Sequence, residues 1–297
     1  MIDSIINCKK IDDADALILS AGYGQSFTYR SGAEHGPREI VKCLHGNLEF
    51  FDRFTRNEPV HLIKTGHHDL RGINKMTSER MVKVIADFFT KHKDKFIVLL
   101  GGSHSVSNGA FVSISKQYDP KDITILQVDA HPDLRENTFD YKETSDKYDH
   151  ACVMRRAREM GFDTVQVGVR TYSTYENEYI KKNKLKIFEW GLGKVPSVKS
   201  IINSIKTKKV YLTFDIDGLD PSIAPGTGTP VPGGLEWWYA LDLIRTLILS
   251  KELVGADIVE VAPFSDSVLT QYLAAHICYN IISYKVMKDK GILKFKH

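Results

Sequence analysis

The feature that most constrains the fold of this chain is a series of short apolar runs separated by amphipathic stretches. The runs cover residues 16–23, 95–102, 123–129, 163–170, 185–190, 209–215 and 256–263. They are apolar throughout rather than alternating, as strands of a parallel sheet covered on both faces must be. Helical patterns lie between them, among them residues 36–51 and 76–92. This strand–helix alternation predicts an α/β fold with about eight strands.

Length and composition narrow the class of protein. The 297 residues contain no Ser/Pro-rich linker and no internal repeat, so we predict one domain over residues 1–297. The net charge of +3 gives no electrostatic argument for a nucleic-acid or membrane partner. No apolar segment approaches the roughly 20 residues that a membrane-spanning helix needs.

Cysteine usage and the start of the chain bear on the compartment. The four cysteines form no CxxC pair and no disulfide framework, which favours a reducing environment; they are Cys8, Cys43, Cys152 and Cys278. The first residues lack the basic region and apolar core of a signal peptide. We expect a cytoplasmic protein.

Residue types that bind metals follow several of the predicted strands. In open α/β sheets, sites form at the carboxyl ends of the strands. The residues found there are His104, then Asp129, His131 and Asp133, then Asp215 and Asp217, and finally Glu260 within the run 256–263. Side chains two residues apart on an extended chain point to the same face. We therefore expect each group to converge if the chain stays extended beyond its strand.

The chemistry of this set favours metal binding. A lone acid at a strand end is usually a turn former, and His104 by itself could be a solvated loop residue. Four carboxylates in one cleft, however, would repel one another strongly unless two divalent cations neutralised them. Aspartate and histidine without thiolate favour Mn, Mg, Fe or Co. Two such ions could hold a bridging water and lower its pKa, which indicates a hydrolase.

Three motifs resemble the metal-binding signatures of the ureohydrolase (arginase/agmatinase) family. They are "GGSHS" (101–105), "DAHPD" (129–133) and "FDIDGLDP" (214–221), and residues 29–40 and 224–235 also resemble family segments. The resemblance implies a three-layer α/β/α sandwich with a mainly parallel eight-stranded sheet. It also implies two Mn²⁺ ions per subunit, a small-molecule guanidino substrate and a homo-trimer or homo-hexamer.

The same resemblance implies roles for individual residues. The metal ligands would be His104, Asp129, His131, Asp133, Asp215 and Asp217. A metal-bridging hydroxide, oriented by Asp133, would attack the guanidinium carbon and release urea. Glu260 would pair with the guanidinium, as a cation of that shape requires. His150 would carry a proton to the leaving amine, although by its position alone it is an ordinary helix-start residue.

One position departs from the family pattern. The family usually has aspartate where this chain has Ser103. That aspartate is not a metal ligand, so the ligand count stands. Loss of it would weaken the support of His104 and lower metal affinity.

The loop after the second motif favours agmatine, which would be hydrolysed to putrescine and urea in polyamine metabolism. Arg135 stands where arginases carry a polar residue that holds the substrate carboxylate. The amine of agmatine would be received by Glu136, Asp140 or Glu143, unless these are plain surface charges. Arg135 could instead bind a carboxylate, which keeps guanidinobutyrase, arginase and formimidoylglutamase as alternatives. A metal-free regulatory homologue and a one-zinc deacetylase fit the intact ligand set less well.

Overall fold

The computed structural model describes residues 4–138, 146–193 and 195–294. These ranges form a sheet of eight parallel strands in the order β2-β1-β3-β8-β7-β4-β5-β6. The strands are β1 Ala16–Ala21, β2 Thr65–Asp69, β3 Phe96–Gly101, β4 Ile123–Val128, β5 Asp163–Val169, β6 Lys186–Glu189, β7 Lys209–Asp215 and β8 Glu252–Val259. The predicted α/β architecture is confirmed.

Helices cover both faces of the sheet. One apolar core lies beneath α1 Gly36–Leu44, α6 Val198–Ser204, α7 Trp237–Ser250 and α8 Leu269–Asp289. The other lies beneath α2 Ser78–Lys91, α3 Ser107–Gln117, α4 Val153–Glu159 and α5 Thr174–Asn183. Because the central strands are buried on both faces, their sequences are continuously apolar.

Several predicted boundaries change. The sequence pattern missed β2, whose five residues include two histidines and an aspartate. It is an edge strand and partly exposed, so it needs no continuous apolar run. The helix predicted for residues 36–51 ends at Leu44, and β8 ends at Val259, so Glu260 follows the strand rather than lying within it.

The strands that position the candidate site lie in the middle of the sheet. β3, β8, β7 and β4 are consecutive neighbours, and being parallel they end at the same edge. Gly218, just after β7, passes close to β4, since a Cβ at this position would lie 2.8 Å from the Asp129 nitrogen. The absence of a side chain lets the two strand ends approach.

Two expectations on cysteines and membranes can be compared with the structure. All four cysteines are free thiols, as their spacing indicates. Among the helices in the described ranges, none is both long and apolar enough to cross a bilayer.

Candidate metal centre and substrate cavity

A cavity of about 370 Å³ opens at the carboxyl edge of the central strands. Most of the residues expected to form the site line it, together with Arg135: His104, His131, Asp133, His150, Asp215, Asp217 and Glu260. Asp129 lies behind this wall and is fully buried. The structure therefore brings together residues that are up to 156 positions apart in the sequence.

The imidazole of His104 shows the strongest fit to a cation. Its Nε2 lies 2.8 Å from the Thr213 hydroxyl, and that hydroxyl donates to Asp257 at 2.6 Å. Thr213 must therefore accept from Nε2–H, which leaves Nδ1 of a neutral ring as a bare lone pair.

In the part of the chain that the structure describes, this buried Nδ1 has no hydrogen-bond partner, and it faces three carboxylates. It lies 3.3 Å from Asp129, 3.0 Å from Asp133 and 3.3 Å from Asp215. A lone pair aimed at three anions is stabilised by a cation between them, so these residues fit a divalent metal ion.

A second group of ligand atoms adjoins the first. His131 Nδ1 lies 3.1 Å from Asp217 and 3.5 Å from Asp129. Ligand atoms of Asp129, His131 and Asp217 all lie within 4.8 Å of one another, as do those of His104, Asp129 and Asp133. Because Asp129 belongs to both groups, the arrangement suits two ions that share a carboxylate.

Without a cation between them, the pKa values of these groups are shifted because the groups are buried close to one another. Burial and repulsion from Asp129 raise the pKa of Asp133 to about 7. Burial and repulsion from Asp217 raise the pKa of Asp215 well above its usual value. Burial opposes protonation of His104, but the three adjacent carboxylates outweigh it and raise the His104 pKa well above its usual value. The cluster holds protons where it would otherwise hold metal.

The ligands converge through turns rather than through extended chain, so the geometric expectation from two-residue spacing is wrong. β4 ends at Val128, and Asp133 has a left-handed backbone with φ of 51°. Asp217 lies in a single 3₁₀ turn, Ile216–Gly218, whose first amides are capped by the Asp215 carboxylate at 2.9 Å. These turns direct Asp133 and Asp217 into the cavity.

Glu260 is held against the metal-ligand cluster. Its backbone nitrogen donates to Gly102 at 2.7 Å, and its Oε1 accepts the His104 amide at 2.6 Å. Its φ of 63° is a backbone conformation that costs energy for a residue other than glycine. Burial raises its pKa, although the neighbouring His150 opposes this. A half-buried carboxylate at the cavity wall is suited to a cationic group.

His150 combines a structural position with a place at the cavity. It starts a 3₁₀ turn, as its position in the sequence suggests, and Asp149 caps that turn. Its Nδ1 lies 2.7 Å from Ser26 and 3.0 Å from Asp149, and its Nε2 lies 2.8 Å from Thr28. Burial disfavours its charged form, but the hydrogen bond to Asp149 raises the His150 pKa above the usual value. It can hold a proton beside the cavity.

Ser103 does not contact the ring of His104. Its hydroxyl accepts the Ser105 amide at 3.3 Å and lies 3.0 Å from the Ser105 hydroxyl. The ring is supported by Thr213 and Asp257, which come from β7 and β8. The ring is thus supported by residues that the sequence pattern did not identify, and the effect of Ser103 on metal affinity stays a prediction.

Two further supporting groups were missed in the sequence. Gln127 donates to Asp129 at 2.6 Å and itself accepts a hydrogen bond from Gln166. All three guanidinium nitrogens of Arg170 donate to backbone carbonyls, which belong to Gly168, Asp217, Gly218, Leu219, Val231 and Pro232. Arg170 thereby fixes the turn that carries Asp217. No motif or spacing links these side chains to their partners.

The residues proposed to contact the far end of the substrate differ in where the structure places them. Arg135 lines the cavity. Glu136 is exposed, accepts the Tyr175 hydroxyl at 3.2 Å and does not line the cavity, so it is not placed as expected. Asp140 and Glu143 lie outside the described residues. Another acid, Glu176, lines the cavity. It also forms a capping box with Ser173 at the start of α5.

Comparisons with known proteins agree with this geometry. The chain is 32% identical to the N(1)-aminopropylagmatine ureohydrolase of Synechocystis over 92% of this chain and 89% of that protein. It is 31% identical to the agmatinase of Chromobacterium violaceum over 96% of this chain and 87% of that protein. The agmatine ureohydrolase structure of Thermoplasma volcanium superimposes with a TM-score of 0.84, at 26% identity, over 99% of this chain and 97% of that one.

A profile of the whole family matches most of the chain. The profile of the arginase family matches residues 14–283, which include every motif described above. The chain belongs to the arginase family, a family of metal-dependent hydrolases.

Proposed function

We propose that this protein hydrolyses the guanidino group of agmatine, giving putrescine and urea, with two divalent metal ions held by the six aspartate and histidine ligands. The observation that carries the proposal is the buried Nδ1 of His104, which has no hydrogen-bond partner among the described residues and faces three carboxylates beside a substrate-sized cavity. Bound metal ions would supply hydroxide from water near neutral pH. We assign Mn²⁺ from the family resemblance.

Glu260 positions the substrate. Its Oε1 is held by the His104 amide, so the carboxylate has a fixed orientation towards the cavity that it lines. A guanidinium ion binds a carboxylate through parallel N–H groups, which fixes the plane of the reacting carbon. Since Glu260 contacts the residue that holds the metal, substrate and nucleophile are brought together by the same short segment.

Asp133 orients the attacking water, and His150 supplies a proton to the departing amine. Asp133 lies at the cavity wall, accepts a hydrogen bond from the attacking water and so orients its lone pair towards the guanidinium carbon. His150, whose pKa is raised by Asp149, donates a proton to the departing amine. Ser26 and Thr28 hold its two ring nitrogens at 2.7 and 2.8 Å, which fixes the orientation of the imidazole.

A longer guanidine is a second candidate substrate. The Synechocystis relative named above acts on N(1)-aminopropylagmatine according to its name, and a relative from Thermus thermophilus with the same name is 30% identical over 92% of this chain. Both candidates end in an amine rather than a carboxylate. In this proposal, Arg135 has a structural role rather than the binding of a substrate carboxylate.

The experiment is a parallel assay of product release by the Mn²⁺-loaded protein. The substrates are agmatine, N(1)-aminopropylagmatine, arginine, 4-guanidinobutyrate and N-formimidoylglutamate, the last assayed as formamide. A kcat/KM highest for one of the amine-ended guanidines supports the proposal. Preference for a guanidino acid would overturn the substrate and assign Arg135 to its carboxylate. Two bound metals without any turnover would overturn the function as a whole.

A further inference from the structure

A second cavity lies at the edge of the sheet beside the proposed active site. It has a volume of about 360 Å³ and is lined by Val169, Arg170, Thr171, Tyr172, Glu189, Trp190 and Leu192. Thr171 and Tyr172 also line the active-site cavity. The two cavities therefore adjoin at the segment that leaves β5, and both open at the carboxyl edge of the sheet.

A carboxylate is the main polar group of this second cavity. Glu189 is the last residue of β6 and is half-buried. The Tyr172 hydroxyl donates a hydrogen bond to it, and this hydrogen bond raises the pKa of Tyr172. The phenol is therefore neutral at physiological pH, so it orients the carboxylate without neutralising its charge.

The guanidinium of Arg170, which also lines this cavity, already donates its hydrogen bonds to backbone carbonyls. The Arg170 guanidinium donates from all three nitrogens to backbone carbonyls, at distances from 2.6 to 3.3 Å. Its donors are directed at Gly168 in β5, at the turn after β7 and at residues 231–232, so they are already used by backbone carbonyls. The main polar group left to bind a ligand is the Glu189 carboxylate, which favours a cation.

Apolar groups form the rest of the wall. Trp190 is nearly buried, and its ring is fixed edge-on against Tyr239 with centroids 4.9 Å apart. An indole held in this way can contact the methylenes of a ligand and attract an adjacent ammonium group. Leu192, which is 78% exposed, provides a further aliphatic surface at the rim.

We propose that this second cavity is a subsite for the terminal ammonium group of a long cationic guanidine, with the Glu189 carboxylate as its acceptor. The inference rests on the proposed function, because the guanidinium end occupies the metal-containing cavity. A guanidine with a single short tail ends within the first cavity. A guanidine extended by an aminopropyl group carries a second ammonium group past Tyr172, where Glu189 binds it.

The first arm of the test uses the unaltered, Mn²⁺-loaded protein and calorimetry. Its ligands are agmatine, N(1)-aminopropylagmatine and the same long guanidine acetylated at its terminal amine; KM replaces Kd for any ligand that is turned over. We expect the long guanidine to bind about tenfold more tightly than agmatine, and acetylation to abolish this gain, because a charged hydrogen bond is lost. Equal binding of the acetylated and free amines would overturn the subsite.

The second arm uses Glu189→Gln, which keeps the shape of the side chain and removes its charge. The ratio of kcat/KM for the long guanidine to that for agmatine should fall about tenfold through KM, with kcat for the long guanidine retained. The matched control is Glu178→Gln, an equal loss of charge at an exposed position on α5, which should leave the ratio unchanged. An unchanged ratio in Glu189→Gln would overturn the proposal.

The two arms separate the subsite from the proposed function. If no guanidine releases urea, the proposed function fails, while the calorimetric difference between free and acetylated tails still decides the subsite. If urea is released but the tail charge has no effect on binding, the subsite fails and the proposed function stands.

Discussion

The centre and the edge of the sheet's carboxyl end differ in how their charges are balanced. At the centre, His104 and the candidate ligand aspartates face one another, and the His104 Nδ1 has no hydrogen-bond partner within the described ranges. At the edge, the Arg170 guanidinium is fully bound by backbone carbonyls, and Tyr172 donates to Glu189. The centre therefore offers ligand atoms for a cation, whereas at the edge the Arg170 guanidinium has its donors satisfied and supports the turn after β7, and Glu189 offers a carboxylate.

The largest expected effect comes from a charge at the centre. Glu260→Gln removes the anion but keeps an oxygen that can accept the His104 amide. We expect kcat/KM to fall about a thousandfold, or about 4 kcal/mol, because the buried guanidinium loses its charged partner. Metal content, measured by atomic emission, should be unchanged. Loss of metal together with activity would show that Glu260 supports the metal site rather than the substrate.

A smaller effect should follow from weakening the edge. Arg170→Lys keeps the positive charge but cannot reach all the carbonyls that the guanidinium binds. We expect a loss of about 3 kcal/mol in the free energy of unfolding from buried carbonyls left without donors. Urea denaturation measures it, and Arg71→Lys, at a side chain 92% exposed, is the control. Unchanged stability would mean that the carbonyls find other partners.

Two polar residues close to His104, Thr213 and Ser103, should differ in how much they contribute to metal affinity. Thr213→Val removes the hydroxyl that fixes the His104 ring, at nearly constant volume. Metal affinity should fall by about ten- to a hundredfold, as for other residues that orient a metal ligand. Ser103→Ala should leave the affinity within about threefold, because that hydroxyl contacts only Ser105. Equal losses in both variants would contradict this division of roles.

The pH dependence of stability should have opposite signs with and without metal. In the metal-free protein the folded-state pKa of His104 lies above its usual 6.5, and that of Asp133 is raised to about 7. The folded state therefore binds more protons than the unfolded state near neutrality. The stability that His104 contributes is present below pH 6.5 and is lost as the pH rises above it, whereas the contribution of the Asp133 proton is lost between its usual value and about 7; each extra proton is worth about 1.4 kcal/mol per pH unit.

The metal-loaded protein should instead become more stable as the pH rises from 6.5 to 8, because metal binding requires deprotonated ligands. Thermal unfolding of chelator-treated and Mn²⁺-loaded samples at pH 6.5 and 8 measures both slopes. Asp133→Asn should flatten the metal-free slope, since it removes one of the groups that titrate. Slopes of the same sign would show that the cluster does not exchange protons for metal.

Sequence and structure contributed differently to these conclusions. The apolar runs predicted seven of the eight strands, because a strand buried on both faces must be apolar along its whole length. The apolar pattern did not predict β2, because an edge strand can expose polar residues. The metal-ligand motifs were visible because all their members lie within a few residues of a strand end.

The sequence by itself determined the sheet, the family and the residues at the strand ends. Only the tertiary structure decided that turns rather than extended chain direct Asp133 and Asp217 inwards, and that Thr213 supports His104. It also decided that Glu189 adjoins the substrate cavity through Tyr172. The physical reason is that burial and periodicity are properties of each segment. Contacts between strand ends depend instead on strand order and register, which no single segment encodes.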